Sequence, residues 1–202
     1  MLKVGVTGGI GTGKSTVSGM LMERNMPVVD ADKLSREVIE MYPEIKEKIK
    51  SSFGTEFFNE KDEFLRRKFG DFIFQNPDIR KQYENIIIPY IKKAIFRQMK
   101  VYEDMKEEIC ILDAPTLIEN GLHNDMDVNI LVFVNREIQV KRVMERDNMD
   151  EKNVINRINS QMSLEEKRKY VDFVIDTGIS LEYTAKQVDK IIDSIKILGD
   201  CK

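Results

Sequence analysis

Gly8-Gly9-Ile10-Gly11-Thr12-Gly13-Lys14-Ser15 fits GxxxxGK[ST] at every specified position. The pattern has a chemical purpose. Glycines let the backbone fold into a nest whose N–H groups face one anion. A helix that starts where such a loop ends aims its positive dipole end at the same anion. The lysine reaches the outer phosphates of a nucleoside triphosphate, and the hydroxyl after it can ligate a divalent cation. Gly8, Gly9, Gly11, Thr12, Gly13, Lys14, Ser15 and Thr16 are therefore the candidate phosphate-binding residues, with Ser15 also a candidate metal ligand. A bare glycine turn between strand and helix would need neither Lys14 nor Ser15. A dinucleotide site would use an acid at about the distance of Asp30 and Asp32, but GxGxxG does not occur in this stretch.

Asp30-Ala31-Asp32 follows the short apolar run Pro27-Val28-Val29. Ligands of open α/β sheets bind beyond the carboxyl ends of the strands, where a carboxylate can accept a proton from an attacking hydroxyl or help hold a metal. Capping of the next helix by Asp32, just before Lys33-Leu34, is an equally good reading of the same spacing. Asp113 closes the apolar run Ile109-Cys110-Ile111-Leu112 as a metal-holding acid does at a strand end. Arg142 and Arg146 stand four apart in a helical stretch and share a face. Two guanidinium groups so placed suit phosphate oxygens, while Glu145 and Asp147 offer them ordinary surface partners instead. His123, the single histidine, lies among polar residues and reads as surface. No cysteine–histidine set has zinc spacing.

The elements that must position these residues alternate. Leu2 to Thr7, Pro27 to Val29, Ile109 to Leu112, Val128 to Val134 and Tyr170 to Ile175 read as strands. Ser15 to Arg24, Glu137 to Arg146 and Leu181 to Leu198 read as helices. Such alternation predicts an α/β fold of the P-loop NTPase type, three layers with a five-stranded parallel sheet. From about Lys33 to Glu108 the alternation stops, and the stretch reads as helix almost throughout, an insertion between the second and third strands. Asn76-Pro77 is a good helix start, and Pro89 is expected to kink or break the helix that contains Ile86-Ile87-Ile88.

Of 202 residues, 42% are hydrophobic and 33% charged, and the net charge is −3. That mix predicts a soluble globular chain of one domain with insertions, and gives no reason to expect nucleic acid as a partner. No run approaches the roughly 20 apolar residues needed to span a bilayer, and no signal peptide is expected at the N-terminus. Two cysteines cannot build a disulfide framework: Cys110 reads as a buried thiol and Cys201 as part of a tail. A reducing, cytoplasmic setting follows as the expectation. A monomer or small homo-oligomer is expected.

The opening VGVTGGIGTGKSTV followed by PVVDADKLSREV resembles the dephospho-coenzyme A kinase family. The likeness continues through Leu65-Arg66-Arg67, Asp113-Ala114-Pro115-Thr116-Leu117-Ile118-Glu119, Gln139-Val140-Lys141-Arg142 with Arg146-Asp147, and Gln161 with Val171 to Asp176. The resemblance implies ATP and Mg²⁺ as cofactors and dephospho-CoA as the small-molecule substrate. It makes Asp32 the catalytic base and a second candidate for the metal, and gives Asp30 the orientation of the substrate or of the metal's water shell. It places Lys14 and Arg142 among the catalytic groups, with Arg142 and Arg146 in a lid from about 137 to 169 over the nucleotide. It puts Arg66, Thr116, Leu117 and Glu119 on the acceptor side, served by the helical insertion from about 33 to 108. Three positions depart from the family pattern: Ile88 stands where a histidine precedes proline, Thr116 replaces a leucine, and Thr177 replaces an asparagine. A nucleoside or nucleotide kinase on the same core is the alternative, and a nucleotide-hydrolysing switch protein is a more distant one.

Overall fold

Strand β1 (Leu2–Gly8) runs into the phosphate loop and then into helix α1 (Lys14–Glu23), so one continuous segment carries the motif. The computed structural model describes residues 1–200, the side chains of Phe74 and Asp200 excepted; Cys201 lies outside the described residues. After α1 come β2 (Val28–Asp30), α2 (Ala31–Met41), α3 (Glu44–Phe53), α4 (Arg66–Phe74) and the long α5 (Pro77–Asp104). Then β3 (Ile109–Asp113), a 3₁₀ turn at Leu122–Asp125, and β4 (Val128–Phe133) follow. The chain ends with α6 (Arg136–Asp147), α7 (Glu151–Asn159), the single turn α8 (Leu164–Lys167), a 3₁₀ turn at Arg168–Tyr170, β5 (Phe173–Asp176) and α9 (Leu181–Asp200).

The five strands form one sheet in the order β2-β3-β1-β4-β5, and every pairing is parallel. All five residues of β3 are buried, as expected of a strand covered on both faces. On one face of β1, Leu2, Val4 and Val6 pack with Val17 and Leu21 of α1 and with Val188, Ile191, Ile192 and Ile195 of α9. On the other face Gly5 lies so close to its neighbours that a Cβ there would meet Leu117 Cδ2 at 2.6 Å and Asn129 Oδ1 at 2.8 Å. Parallel pairing brings the carboxyl ends of all five strands to one edge. Register places Asp30 opposite Asp113, and Asp113 opposite Val6.

The chain divides into two compact units, residues 1–30 with 98–202, and residues 31–97. The first holds the sheet. The second is helical, and its aromatic core gathers Phe53, Phe57, Phe64, Phe69, Phe72 and Tyr83 in tilted and edge-on pairs. Burial pushes the Tyr83 hydroxyl up to about 12. The Asn76-Pro77 start is as expected: Asn76 Oδ1 accepts from the N–H groups of Asp78 and Ile79 at 3.0 and 3.3 Å. Of the kink or break expected at Pro89, the break does not occur, and α5 continues through it for fifteen further residues to Asp104. Pro89 and Asn85, one turn earlier, are both exposed, so the hydrogen bond that proline cannot make is lost on the side where water replaces it.

Candidate phosphate-binding and phosphotransfer site

The loop after β1 owes its shape to two glycines with positive φ, Gly11 at 77° and Gly13 at 82°. Gly13 is the residue from which α1 begins, so the helix opens directly onto the loop. Neither glycine can be replaced without strain, and at Gly11 a Cβ would also meet Val143 Cγ2 at 2.6 Å. Thr12 turns its hydroxyl back to the Gly9 carbonyl at 2.9 Å. Ser15 and Thr16 are exposed at the start of α1, available to a ligand, whereas Thr12 is wholly buried.

Two glutamines hold the tip of the loop from the side of α6 and α7. Gln139 Nε2 donates to the Ile10 carbonyl at 2.8 Å, and the Ile10 N–H donates to Gln161 Oε1 at 3.0 Å. Thr177, just past β5, donates its hydroxyl to the Thr12 carbonyl at 2.7 Å. Arg142 in turn donates to the Thr177 hydroxyl at 2.9 Å and to the Thr177 carbonyl at 2.7 Å. Loop, α6 and the end of β5 are thus tied by one chain of hydrogen bonds that ends on a guanidinium group. Beside Gly9 a cavity of about 310 Å³ remains, lined by Phe133, Arg136, Gln139, Ile158, Gln161 and Leu164 among others.

Lys14 forms an ion pair with Asp113 at the end of β3, and the other carboxylate oxygen of Asp113 accepts from the Ser18 hydroxyl at 2.7 Å. Ser18 lies one turn beyond Lys14 on α1, which is why one carboxylate can reach both. Asp113 is buried, and these two donors satisfy it.

Asp30 ends β2 and is exposed. Asp32 is exposed in the first turn of α2, which begins at Ala31; it stands inside the helix rather than at its cap, and its carboxylate lies where the helix dipole favours negative charge. Arg66 opens α4, donates to the Arg36 carbonyl and lies over the Phe64 ring, 5.8 Å from its centre. Thr116 is exposed and accepts from Asn120 Nδ2 at 2.9 Å, while Leu117 is wholly buried. Arg146 is exposed and bonds Asp147 at 2.7 and 2.9 Å, which raises the arginine and lowers the carboxylate from their ordinary values. Asp147 also pairs with Arg157 of α7 at 3.0 Å. His123 is half-buried, its ring edge-on to Tyr170.

Lys167 is the residue that sequence reasoning passes over. In the charged run Glu165-Glu166-Lys167-Arg168-Lys169 nothing marks it, yet its side chain is 1% exposed. Its ammonium pairs with Glu119 at 3.0 Å and donates to the Pro115 carbonyl at 2.5 Å. The Gly8 carbonyl and Thr7 Oγ1 are each 3.4 Å away. Burial pushes the lysine below its ordinary value, and nearby Lys14 adds to that, while Glu119 opposes it.

A parallel five-stranded sheet, a glycine loop that leads from the first strand into a helix, and a lysine of that helix paired with an aspartate at the end of the third strand belong to a P-loop kinase fold. The dephospho-CoA kinase family model matches residues 2–182. The dephospho-CoA kinase of Clostridium tetani is 48% identical over 98% of this chain and 87% of its own length, and that of Clostridium perfringens 45% identical over 96% and 97%. Among solved structures, the dephospho-CoA kinase from Campylobacter jejuni superposes with a TM-score of 0.74 at 26% identity, covering 96% of both chains. A protein from Thermus thermophilus reaches 0.81 at 28% identity over the same shares. The chain belongs to the dephospho-CoA kinase family.

Proposed function

We propose that the protein transfers the γ-phosphoryl group of ATP to the ribose 3′-hydroxyl of dephospho-CoA, giving coenzyme A and ADP. The observation that carries the reading is the phosphate nest of Gly8 to Ser15, with Lys14 already facing a carboxylate, in a chain of this family. In the reaction the bond from the γ-phosphorus to the β,γ-bridging oxygen breaks, and a bond to the ribose oxygen forms. The displaced proton goes to Asp32. The N–H groups of Gly11, Gly13, Lys14 and Ser15 hold the phosphate oxygens, with the Thr16 hydroxyl beside them and the Thr12 N–H donating to the Gly9 carbonyl within the loop; their fixed direction leaves little reorganisation for the transfer step. Lys14 exchanges its Asp113 partner for a phosphate oxygen. Arg142, anchored through Thr177, offsets charge that develops on the transferred group, with Arg146 a lesser contributor.

The oxygen donors suit a hard cation. Ser15 presents an exposed hydroxyl at the loop, and Asp113 and Asp32 are the carboxylates proposed to hold Mg²⁺ with it, the phosphates and water supplying the rest. When bound, the cation neutralises charge on the β- and γ-phosphates. Asp30 orients the acceptor or the cation's water shell. Arg66, Thr116 and Glu119 serve the acceptor, with buried Leu117 anchoring their segment in the core. The stretch 137–169 acts as a lid that excludes water, so that the phosphoryl group reaches the alcohol and is not hydrolysed.

The test is ADP release from Mg·ATP with dephospho-CoA, with adenosine and nucleoside monophosphates run beside it. Fast release with dephospho-CoA alone is the expected result. Faster release with a nucleoside or nucleotide would move the acceptor assignment to that class, and Ile88 in place of the family histidine would be the first residue to exchange.

A further inference from the structure

Lys167 places its ammonium beside the start of the phosphate loop, and the proposed reaction gives it no task. A buried ammonium is costly unless its protons are taken up, and this one is surrounded by oxygens: the Glu119 carboxylate at 3.0 Å, the Pro115 carbonyl at 2.5 Å, and the Gly8 carbonyl and Thr7 hydroxyl at 3.4 Å. Thr7 also donates to the Pro115 carbonyl at 3.1 Å. These oxygens belong to two segments, the end of β1 where the loop begins and the 115–119 stretch after β3. Lys167 itself comes from a third, α8. A single ammonium therefore fixes the 115–119 stretch against the first glycine of the loop.

The side chain is 1% exposed, and its ammonium is taken up by these protein oxygens. The loop from Ile10 onward is held separately by Gln139, Gln161 and Thr177, none of which touches Lys167 in the contacts above. We propose that Lys167 is a positioning residue for the transfer step, acting through Glu119 and the Pro115 carbonyl to hold the acceptor-side stretch in register with the phosphate loop. The inference rests on the acceptor-side assignment of 115–119 made above. It sets an expectation for how catalysis fails without Lys167. The acceptor is misplaced while ATP still binds, and a misplacement on the order of 1 Å costs about 100-fold in rate.

The experiment compares Lys167→Met and Glu119→Gln with the wild type, measuring ATP affinity by direct titration and kcat/KM for dephospho-CoA. For Lys167→Met we expect kcat/KM for dephospho-CoA to fall about 100-fold while the ATP Kd stays within about threefold. Glu119→Gln falls in the same direction as Lys167→Met, by a smaller factor. An unaltered kcat/KM in Lys167→Met overturns the inference. So does a loss matched by an equal loss of ATP affinity. Should Lys167→Met fail to fold, Glu119→Gln decides, and an unchanged kcat/KM there overturns the inference. A wild-type enzyme that ignores dephospho-CoA would instead overturn the acceptor assignment, and the comparison would then be run on the acceptor it does use.

Discussion

The Thr177 hydroxyl stands between the loop and Arg142, donating to the Thr12 carbonyl and accepting from the guanidinium group. Removing it as Thr177→Val leaves a buried carbonyl short of a donor and Arg142 short of an acceptor. A loss of about 1–2 kcal/mol is expected, close to tenfold in ATP affinity. Thr177→Asn, which restores the family residue with both a donor and an acceptor, is expected to bind ATP as the wild type does. An ATP Kd unchanged in Thr177→Val would remove the hydroxyl from the nucleotide site. Asp32→Asn tests the proposed base: kcat is expected to fall by about 10²–10⁴-fold with ATP affinity retained. A nearly full kcat would sink that role. At this scale the sequence exposes what a fixed spacing encodes. Lys14, Ser15 and Asp113 stand out because their chemistry depends on position along the chain. Ser18 was within reach of the same logic, one helical turn from Lys14. Lys167 was not, because a buried lysine in a charged run looks like its solvated neighbours until the fold brings Glu119 and Pro115 to it.

Among the elements, the segment from β1 through the loop to α1 was legible because its apolar run, glycines and helix start all agree. The five strands and their parallel sense followed from alternation with helices. Their order did not, because β1 sits between β3 and β4 by contacts that no local pattern reveals. Of the two outcomes expected at Pro89, the break does not occur: Pro89 and Asn85 face water, which can replace the hydrogen bond that proline removes. Likewise no local signal marks Arg97 as the end of the second unit, since α5 runs on without interruption to Asp104. The loop itself gives the sharpest prediction at this scale. Gly11→Ala meets both a positive φ and the Val143 side chain at 2.6 Å. It is expected to lower stability by about 1–3 kcal/mol from backbone strain alone. Thermal unfolding monitored by circular dichroism checks this, and a midpoint equal to the wild type's would mean the loop relaxes more easily than its geometry suggests.

For the molecule as a whole, the proposed nucleotide site is expected to couple to stability. Lys14 pairs with Asp113, and the loop is braced by α6, the turn after α7 and the end of β5, so the proposed ATP site is held by contacts within the fold. At 100 times its Kd, ATP is expected to stabilise the fold by about 2.7 kcal/mol. For a chain of this size that is roughly 5–11 °C in the unfolding midpoint. Lys14→Ala is expected to lose most of that shift, and a full shift in the variant would remove Lys14 from phosphate binding. No helix among the described residues is long and apolar enough to cross a membrane.

The central claim is the transfer of a phosphoryl group to one ribose hydroxyl, and phosphorus NMR of the product tests it most directly. Incubated with Mg·ATP and dephospho-CoA, the enzyme should give one new phosphomonoester resonance, coupled to the ribose 3′ proton, growing in step with ADP. Inorganic phosphate growing with ADP, and no new monoester, would contradict the account and make the protein a nucleotide hydrolase on the same phosphate loop.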